Sequence, residues 1–295
     1  MTGRVVSTGN ALVDVVATVP RLPRRGSDVL ATGGRLEVGG GGFRALVAAR
    51  ATGADALFAG RIGTGPLGDL VRAALRAAGV PAPLPPVPDR DSGFVLTSVE
   101  PDGERTFTTV PGAESSAPGL EGFAPADGDV LHVHGYGLVA PERGAPLVEF
   151  VAGVPGDVQV LLDPGPFGAD APSHLLARLL PRVDWWSGST EEARAATGLG
   201  DPAAAARLLA ATTRRGAVVR QGADGCLLAL RGGDVVPLPA PRVVVADSNG
   251  AGDTHVGTFL AAVAAGEDPI DAATRANEAA ARFVAAPADS PPFVL

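Results

Sequence analysis

The fold is indicated most directly by the stretch VVVADSNGAGDTHVGTFL, residues 243–260. Its apolar start predicts a strand over Val243–Val245, and small residues then lead straight into a helix. That helix is predicted to be amphipathic, because apolar side chains recur at Val256, Phe259 and Leu260, the i, i+3, i+4 pattern. The first amides of a helix lack intrahelical partners and carry partial positive charge, so glycines at this point predict an anion-binding site.

Asp253 lies within the first turn of this predicted helix. A carboxylate there would sit beside a bound phosphate, where it can accept the proton of a hydroxyl group that attacks phosphorus. An aspartate at a helix start can also serve only as a cap, with the glycines forming no more than a turn. The residues alone leave both interpretations open.

Residues 247–253, Asp-Ser-Asn-Gly-Ala-Gly-Asp, resemble the C-terminal signature of the PfkB-type (ribokinase-like) carbohydrate kinases, Asp-Thr-x-Gly-Ala-Gly-Asp, and depart from it only at Ser248. The resemblance implies an α/β fold, the ribokinase-like three-layer sandwich with a mostly parallel central sheet, plus a small β-sheet lid. It also implies that Asp253 is the catalytic base and that Asp247 lies beside a monovalent cation, K⁺. The amides of three residues would form the anion hole: Gly250, Ala251 and Gly252.

The composition limits the classes of function. The 295 residues are 46% hydrophobic, enough for a large core, and we predict one domain over residues 1–295. No apolar run reaches the roughly 18 residues of a membrane span, and the N-terminus lacks the parts of a secretion signal, so a cytoplasmic protein is expected. A net charge of −8 argues against nucleic-acid binding. The chain has no lysine, which excludes a Walker P-loop, and its single cysteine, Cys226, excludes an internal disulfide framework.

Apolar runs alternate with helical patterns along the chain, which is typical of an α/β domain with a largely parallel sheet. The clearest predicted strands are residues 4–9, 56–60, 130–133, 158–162 and 217–220. Pro269 opens the last predicted helix. Two segments break the alternation, from about residue 12 to 37 and from about 93 to 109, and an Asp-Gly pair in the second predicts a hairpin. We predict that these two segments form the small β-sheet lid.

The stretch GTGPLG, residues 63–68, matches Gly-x-Gly-x-x-Gly between a strand and a helix. A dinucleotide fold would also need an acidic residue at the end of a second strand about 20 positions further on, and that region is rich in proline. Residues 60–69 instead resemble the Gly-x-x-Gly-x-Asp-x-x-Gly stretch of the PfkB-type N-terminal signature. Thr64 and Gly65 stand where that family often has acidic residues.

Five residues are predicted by resemblance to bind the phosphate acceptor. Gly39 and Gly40 match the start of the family's Gly-Gly-x-x-x-Asn run, where glycines allow close approach to a small ligand, and Arg44 stands at the Asn position. Guanidinium is a permanent cation that only donates hydrogen bonds, so a buried Arg44 needs an anionic partner, either the phosphate acceptor or Asp14. The alternative is that Arg44 is exposed on its helix. Asn10 and Asp14 match the family's opening, where an aspartate binds sugar hydroxyls. An exposed turn is the alternative for Asp14.

The nucleotide and its cation are predicted to bind in the C-terminal half. Glu192 corresponds to the glutamate of an Asn-x-x-Glu motif that contacts Mg²⁺ through water, with Ser189 at the Asn position; the alternative is that Glu192 only favours a helix start. Gly222 and Gly225 resemble the family's Gly-x-x-Gly loop on the nucleotide side. Asn277 falls in an apolar stripe, so its amide needs a partner, either the adenine or nearby backbone.

His132 and His134 share one face of a predicted strand, where two histidines can begin a metal site. No third ligand follows at a suitable spacing in the sequence, so we interpret them as buried or site-lining imidazoles. His255 lies two residues after Asp253, and the sequence leaves its role open.

Together these patterns predict a kinase that transfers the γ-phosphoryl group of MgATP to a hydroxymethyl group of a small carbohydrate. A nucleoside kinase of the same fold is one alternative, but it needs aromatic side chains over the acceptor, and aromatic residues are only 4% of the chain. A non-catalytic sugar or nucleotide sensor is another; Asp253 opposes it, whereas Arg44 and Ser189 favour it. Exposed lid edges would allow a homodimer.

Overall fold

The computed structural model describes residues 3–286. The strands are β1 (Val5–Ser7), β2 (Leu12–Thr18), β3 (Gly33–Gly39), β4 (Ala56–Phe58), β5 (Phe94–Val99), β6 (Arg105–Val110), β7 (Val130–His134), β8 (Gln159–Asp163), β9 (Trp185–Ser189), β10 (Gly216–Arg220), β11 (Cys226–Leu230) and β12 (Val235–Leu238). The helices are α1 (Gly41–Ala51), α2 (Pro66–Ala77), α3 (Tyr136–Val139), α4 (Gly144–Gly153), α5 (Ser173–Leu179), α6 (Thr190–Thr197), α7 (Pro202–Thr212), α8 (Ala251–Ala264) and α9 (Pro269–Ala285).

Eight strands form the central sheet in the order β12-β11-β10-β9-β8-β7-β1-β4. Neighbours from β4 to β10 run parallel, and β11 and β12 add an antiparallel edge. Because side chains alternate along a strand, Val5 belongs to the core under α1, α2, α8 and α9, and Val6 to the core under α4 to α7. These layers confirm the predicted ribokinase-like α/β sandwich. The carboxyl ends of its parallel strands meet along one edge.

Four strands form a second, small sheet in the order β3-β2-β5-β6. The two predicted segments supply it: β2 and β3 come from the first, and the β5–β6 hairpin comes from the second. Strands β2 and β5 pair in parallel, with Asp14 opposite Val95. The presence of this separate sheet confirms that part of the predicted fold.

The predicted strand over Val243–Val245 is wrong. These three valines are 41%, 90% and 56% exposed, and the chain forms no strand there. The central sheet ends at β12, and two prolines, which have no N–H to donate, follow soon after it. The amides of Ala246 and Asp247 donate instead to the carbonyl of Val284 near the end of α9. The segment that enters α8 is therefore anchored to a helix.

Helix α8 is buried on every side, so the predicted amphipathic character is also wrong. Residues 255–263 are all buried, and α8 packs between α1 and α9. A helix that is apolar all round is typical of a protein interior. The contact with α1 is close, because a methyl group on Gly257 would overlap the carbonyl of Ala45. None of the described helices combines the length and apolar character that a membrane crossing requires.

We expect Gly257→Ala to lower the free energy of unfolding by about 1–3 kcal/mol, the usual cost of overpacking a core. Gly153→Ala is the matched control, because Gly153 also lies in a helix and no neighbouring atom lies within 4 Å of the added methyl group. That variant should be neutral or slightly stabilised. Urea denaturation measures both. Equal stabilities for the two variants would contradict the close packing of α1 on α8.

Candidate active site

Ionisable side chains meet at the carboxyl edge of the central sheet. His134 ends β7, Asp163 ends β8 and Arg220 ends β10. Asp253 joins them from the first turn of α8. One ligand atom from each of His134, Asp163 and Asp253 lies within 4.8 Å of the others. The structure thus brings the predicted base next to a buried histidine and a second, buried carboxylate.

The start of α8 has the features of an anion-binding site. Gly250 precedes the helix with a φ of 91°, in the left-handed region that favours glycine, and no side chain caps the helix. The Ala251 amide donates to the Ser248 carbonyl at 3.2 Å, and the Thr254 amide makes the bond to the Gly250 carbonyl at 2.9 Å. The Gly252 amide precedes the point where intrahelical bonding begins, so it is available to an anion.

The pKa values of the two neighbouring carboxyl groups are shifted in opposite directions. Burial raises the pKa of Asp253, and repulsion from Asp163 adds to the increase. Burial also opposes ionisation of Asp163, but the nearby Arg220 guanidinium holds the pKa of Asp163 below its usual value. Adjacent carboxyl groups with opposed pKa shifts are typical of sites where one exchanges a proton and the other stays ionised. Asp253 is the member suited to proton exchange.

Arg220 is a site residue that the sequence patterns do not indicate, because a lone arginine at the end of a strand matches no motif. Its guanidinium donates to Ser187 Oγ at 2.8 Å and lies 3.9 Å from Asp163 and 3.5 Å from Glu192.

Glu192 and Ser189 form a capping box at the start of α6, in which each side chain accepts from the amide of the other residue. Glu192 therefore caps a helix and also faces the cluster. Asp163 and Glu192 supply carboxylate oxygens, the ligands that Mg²⁺ prefers, and the Arg220 guanidinium balances part of their charge.

Arg44 has its anionic partners within the protein. Its Nη2 lies 2.8 Å from Asp14 and 3.4 Å from Glu37. Gly39 makes room for this pair, since a methyl group there would overlap the Asp14 carboxylate, and Gly40 has a φ of 94°. Burial raises the pKa of Asp14 despite the opposing effect of Arg44. Of the alternatives for Arg44, the structure supports pairing with Asp14.

A cavity of about 460 Å³ opens between the small sheet and the edge of the central sheet, and its lining includes Asn10, Tyr136 and Phe167. The Oδ1 atom of Asn10 is buried without a hydrogen-bond partner among residues 3–286, so it can accept from a ligand. The Tyr136 ring stacks on His134 at 5.3 Å and meets Phe167 edge-on at 5.0 Å. Aromatic surface therefore runs from the charged cluster into the cavity.

A larger groove of about 670 Å³ lies between β3, α1, α8 and α9 and includes Arg44 and Thr254 in its lining. The smaller cavity differs from this groove in two features: its aromatic wall continues to His134, and it holds the Asn10 oxygen that has no partner among residues 3–286.

The glycine turn after β10 and Asn277 meet at the end of β12. Gly222 and Gly225 have φ values of 59° and 95°, and a methyl group on Gly225 would overlap the Leu238 carbonyl. Asn277 Nδ2 donates to the same carbonyl at 2.9 Å. Backbone far away in the sequence therefore satisfies the buried amide. Its predicted contact with adenine stays a prediction.

Two of the histidines lie in the interior. Ser7 Oγ shares a hydrogen bond with Nδ1 of His132 at 3.0 Å, whereas neither ring nitrogen of His255 has a partner among the described residues. Burial lowers the pKa of each ring to about 3, so both are neutral at pH 7. His134 lines the site, and its Nδ1 accepts from the Tyr136 amide at 3.4 Å. These positions agree with the interpretation of His132 and His134 as buried and site-lining.

The stretch over residues 63–68 does not offer a phosphate site. The Asp91 carboxylate accepts from the amides of Leu67 and Gly68 at 3.1 and 2.7 Å, at the start of α2. An anion in a dinucleotide fold would bind to this same type of helix start. Because the protein's own carboxylate lies there, the structure supports the interpretation that this stretch does not bind a dinucleotide.

Comparison with known proteins identifies the family. A family model for pfkB family carbohydrate kinases matches residues 2–292. The chain belongs to the PfkB family. It is 32% identical over 296 residues to the uncharacterized sugar kinase YegV of Escherichia coli K12, a match that covers 95% of this chain and 88% of YegV. As a member of the PfkB family, the protein is a phosphotransferase.

Solved structures share the ribokinase-like fold. The ribokinase of Arabidopsis thaliana, complexed with ribose and ATP, matches with a TM-score of 0.78 and 23% identity over 96% of this chain and 93% of the ribokinase. A nucleoside kinase of Burkholderia thailandensis, complexed with inosine, matches with a TM-score of 0.77 and 21% identity over 96% and 90% of the two chains. At these identities the likeness shows the fold and does not select an acceptor.

Asp247, the residue predicted to lie beside K⁺, has another partner in this PfkB-family member. Its Oδ1 accepts from Arg105 of the small sheet at 2.6 Å and from the Asn249 amide at 2.8 Å. Although burial opposes the effect, these bonds hold the pKa of Asp247 below its usual value. A permanent guanidinium already balances this carboxylate and would repel a second cation. These residues therefore fit K⁺ poorly.

We expect the melting temperature of the wild-type protein to be the same in KCl, NaCl and tetramethylammonium chloride at equal ionic strength. In Arg105→Gln the Asp247 carboxylate loses its guanidinium partner and is free to bind K⁺. Binding of K⁺ to the folded state would stabilise that state, so the melting temperature should be higher in KCl than in the other salts. Arg76→Gln, at the exposed end of α2, is the control and should show no preference among the salts. A K⁺-dependent increase in the wild-type protein would show that Asp247 binds K⁺ despite Arg105.

Proposed function

We propose that this protein transfers the γ-phosphoryl group of MgATP to a hydroxymethyl group of a small carbohydrate. One observation carries the proposal: Asp253 lies both in the first turn of α8 and in the cluster with His134 and Asp163. A phosphate at the helix start and a hydroxyl group at Asp253 would be neighbours, as an in-line transfer requires. Membership of the PfkB family supports phosphoryl transfer as the reaction, and the likeness to a ribokinase complexed with ribose and ATP supports ATP as the phosphoryl donor.

Asp253 acts as the general base. Its carboxylate takes the proton of the attacking hydroxyl while the new oxygen–phosphorus bond forms, and the bond between γ-phosphorus and the bridging oxygen breaks to release ADP. The amides of Gly250 and Gly252 stabilise charge on the transferred group, and that of Ala251 contributes only if it turns from the Ser248 carbonyl, to which it donates at 3.2 Å. Because burial raises the pKa of Asp253, it holds the accepted proton more readily than an exposed aspartate would.

Asp163 and Glu192 would hold Mg²⁺, the Glu192 carboxylate through water. When bound, the ion would neutralise part of the phosphate charge. Gly222, Gly225 and Asn277 are proposed to bind the nucleotide beside β12, where they meet.

The small sheet is proposed to act as a lid. It carries Asp14 on β2, next to the β5–β6 hairpin, and its closure over the acceptor cavity would exclude water and limit ATP hydrolysis. Its outer strands, β3 and β6, keep edges through which a homodimer can form.

The acceptor is proposed to bind in the 460 Å³ cavity, with a hydroxyl group near Asn10 of its lining. Asp14, on β2 and outside that lining, is proposed to bind a further hydroxyl group. A nucleoside is the second candidate, and one observation favours it: Tyr136 and Phe167, two of the few aromatic residues in the chain, line this cavity. A base could stack there on a ring, which a simple sugar does not need.

A panel of neutral sugars, sugar acids, sugar phosphates and nucleosides, assayed for ADP release with MgATP, tests the proposal. Turnover of a sugar supports the first candidate, and turnover of nucleosides alone supports the second. Binding of MgATP and of an acceptor without any phosphorylated product would contradict both and leave a sensor as the function.

We expect Asp253→Asn to keep the fold and ATP binding while phosphoryl transfer falls by roughly 10²–10⁴-fold, the usual contribution of a general base. The wild-type rate should fall as the pH falls through the raised pKa of Asp253, because only the ionised carboxylate accepts the proton. Asp271→Asn, an exposed aspartate in the first turn of α9, is the matched control. A variant at Asp253 that keeps wild-type turnover would exclude this residue as the base.

We expect Arg44→Asn to reduce kcat/KM for neutral and for anionic acceptors by the same factor, because both observed partners of Arg44 are protein carboxylates. Arg50→Asn, on the same helix and paired with Asp55 near the surface, is the control. A loss confined to sugar acids or sugar phosphates would instead show that Arg44 leaves Asp14 to bind the substrate anion.

A further inference from the structure

Arg220 lies directly beside the predicted anion site. A methyl group added to Gly252, in the first turn of α8, would be 3.4 Å from Nη2 of Arg220. Glycine leaves this space open, so nothing from residue 252 separates the guanidinium from the amides at the helix start. The side chain of Arg220 is only 14% exposed. The helix start and a nearly buried cation therefore face the same space.

The guanidinium has donors to spare. It carries five N–H groups, and its one short bond is to Ser187 Oγ at 2.8 Å. Its distances to Asp163 and Glu192, 3.9 and 3.5 Å, are long for hydrogen bonds between charged groups. The attraction of the two carboxylates holds the side chain in place, but it leaves several N–H donors of the guanidinium without a close acceptor. An anion that enters between α8 and β10 can accept the remaining donors.

The charge of the cluster favours such a cation. Asp163, Glu192 and Asp253 bring up to three negative charges to the strand ends, where a polyphosphate would add more. A planar guanidinium that binds two oxygens at once is the side chain best matched to phosphate. We infer that Arg220 binds the terminal phosphate of the nucleotide together with the start of α8, as a cation built into the protein. This inference rests on the proposed function, because it assumes that the phosphate belongs to a nucleoside triphosphate.

The test is calorimetric titration of MgATP and of adenosine into the wild-type protein and three variants. Arg220→Gln should weaken MgATP binding by about 10- to 100-fold, the effect of losing a charge-assisted contact, and leave adenosine binding unchanged. Arg220→Lys keeps the charge with fewer donors and should lose less affinity for MgATP. Arg178→Gln removes an exposed arginine of α5 and should match the wild type.

The outcomes separate the two proposals. Unchanged MgATP binding in Arg220→Gln, or equal losses for MgATP and adenosine, overturns the inference, because both show that Arg220 only supports the fold. Equal losses in Arg220→Gln and Arg220→Lys also overturn it, since charge is then not what the site uses. If the wild-type protein does not bind MgATP at all, the proposed function fails, and the inference fails with it.

Discussion

The position at which α8 begins determines the rest of the site. The helix is buried between α1 and α9, and Gly257 lies so close to Ala45 that a single methyl group would overlap it. A helix packed in this way cannot shift without disturbing the core on both sides. Its first turn is therefore held at the strand ends, where Asp253 meets Asp163. Core packing, and not a mobile loop, sets the distance between the anion site and the base.

Three arginines supply positive charge around this site. Arg44 pairs with Asp14 on the acceptor side, Arg105 pairs with Asp247 at the entry to α8, and Arg220 lies between two carboxylates at the strand ends. A guanidinium stays charged at every pH at which the protein folds. In these ion pairs, therefore, only the carboxyl groups can change protonation.

The parts of the fold that depend on local pattern could be predicted from the sequence. The glycines before Asp253, the alternating strands and the β5–β6 hairpin are of this kind. The conformation of Val243–Val245 could not be predicted correctly from the local pattern. Nearby prolines and hydrogen bonds to the distant end of α9 determine the path of this segment. Arg105 lies 142 residues from its partner Asp247, and Arg220 lies 28 residues from Glu192. Only the folded chain brings such pairs together, so no local sequence motif predicts them.

The ion pair between Arg105 and Asp247 links the small sheet to the segment that enters α8. Movement of the small sheet away from the central sheet would separate these charges and leave that segment without one of its anchors. Linkage makes such an effect reciprocal: a ligand that draws the small sheet inward also favours the ordered entry to α8, and an anion bound at α8 favours the closed small sheet. Under the proposed function, the two substrates would then bind cooperatively through the protein, in addition to their contact at the reacting atoms. The coupling would equal the difference in the free energy of this ion pair between the open and closed forms.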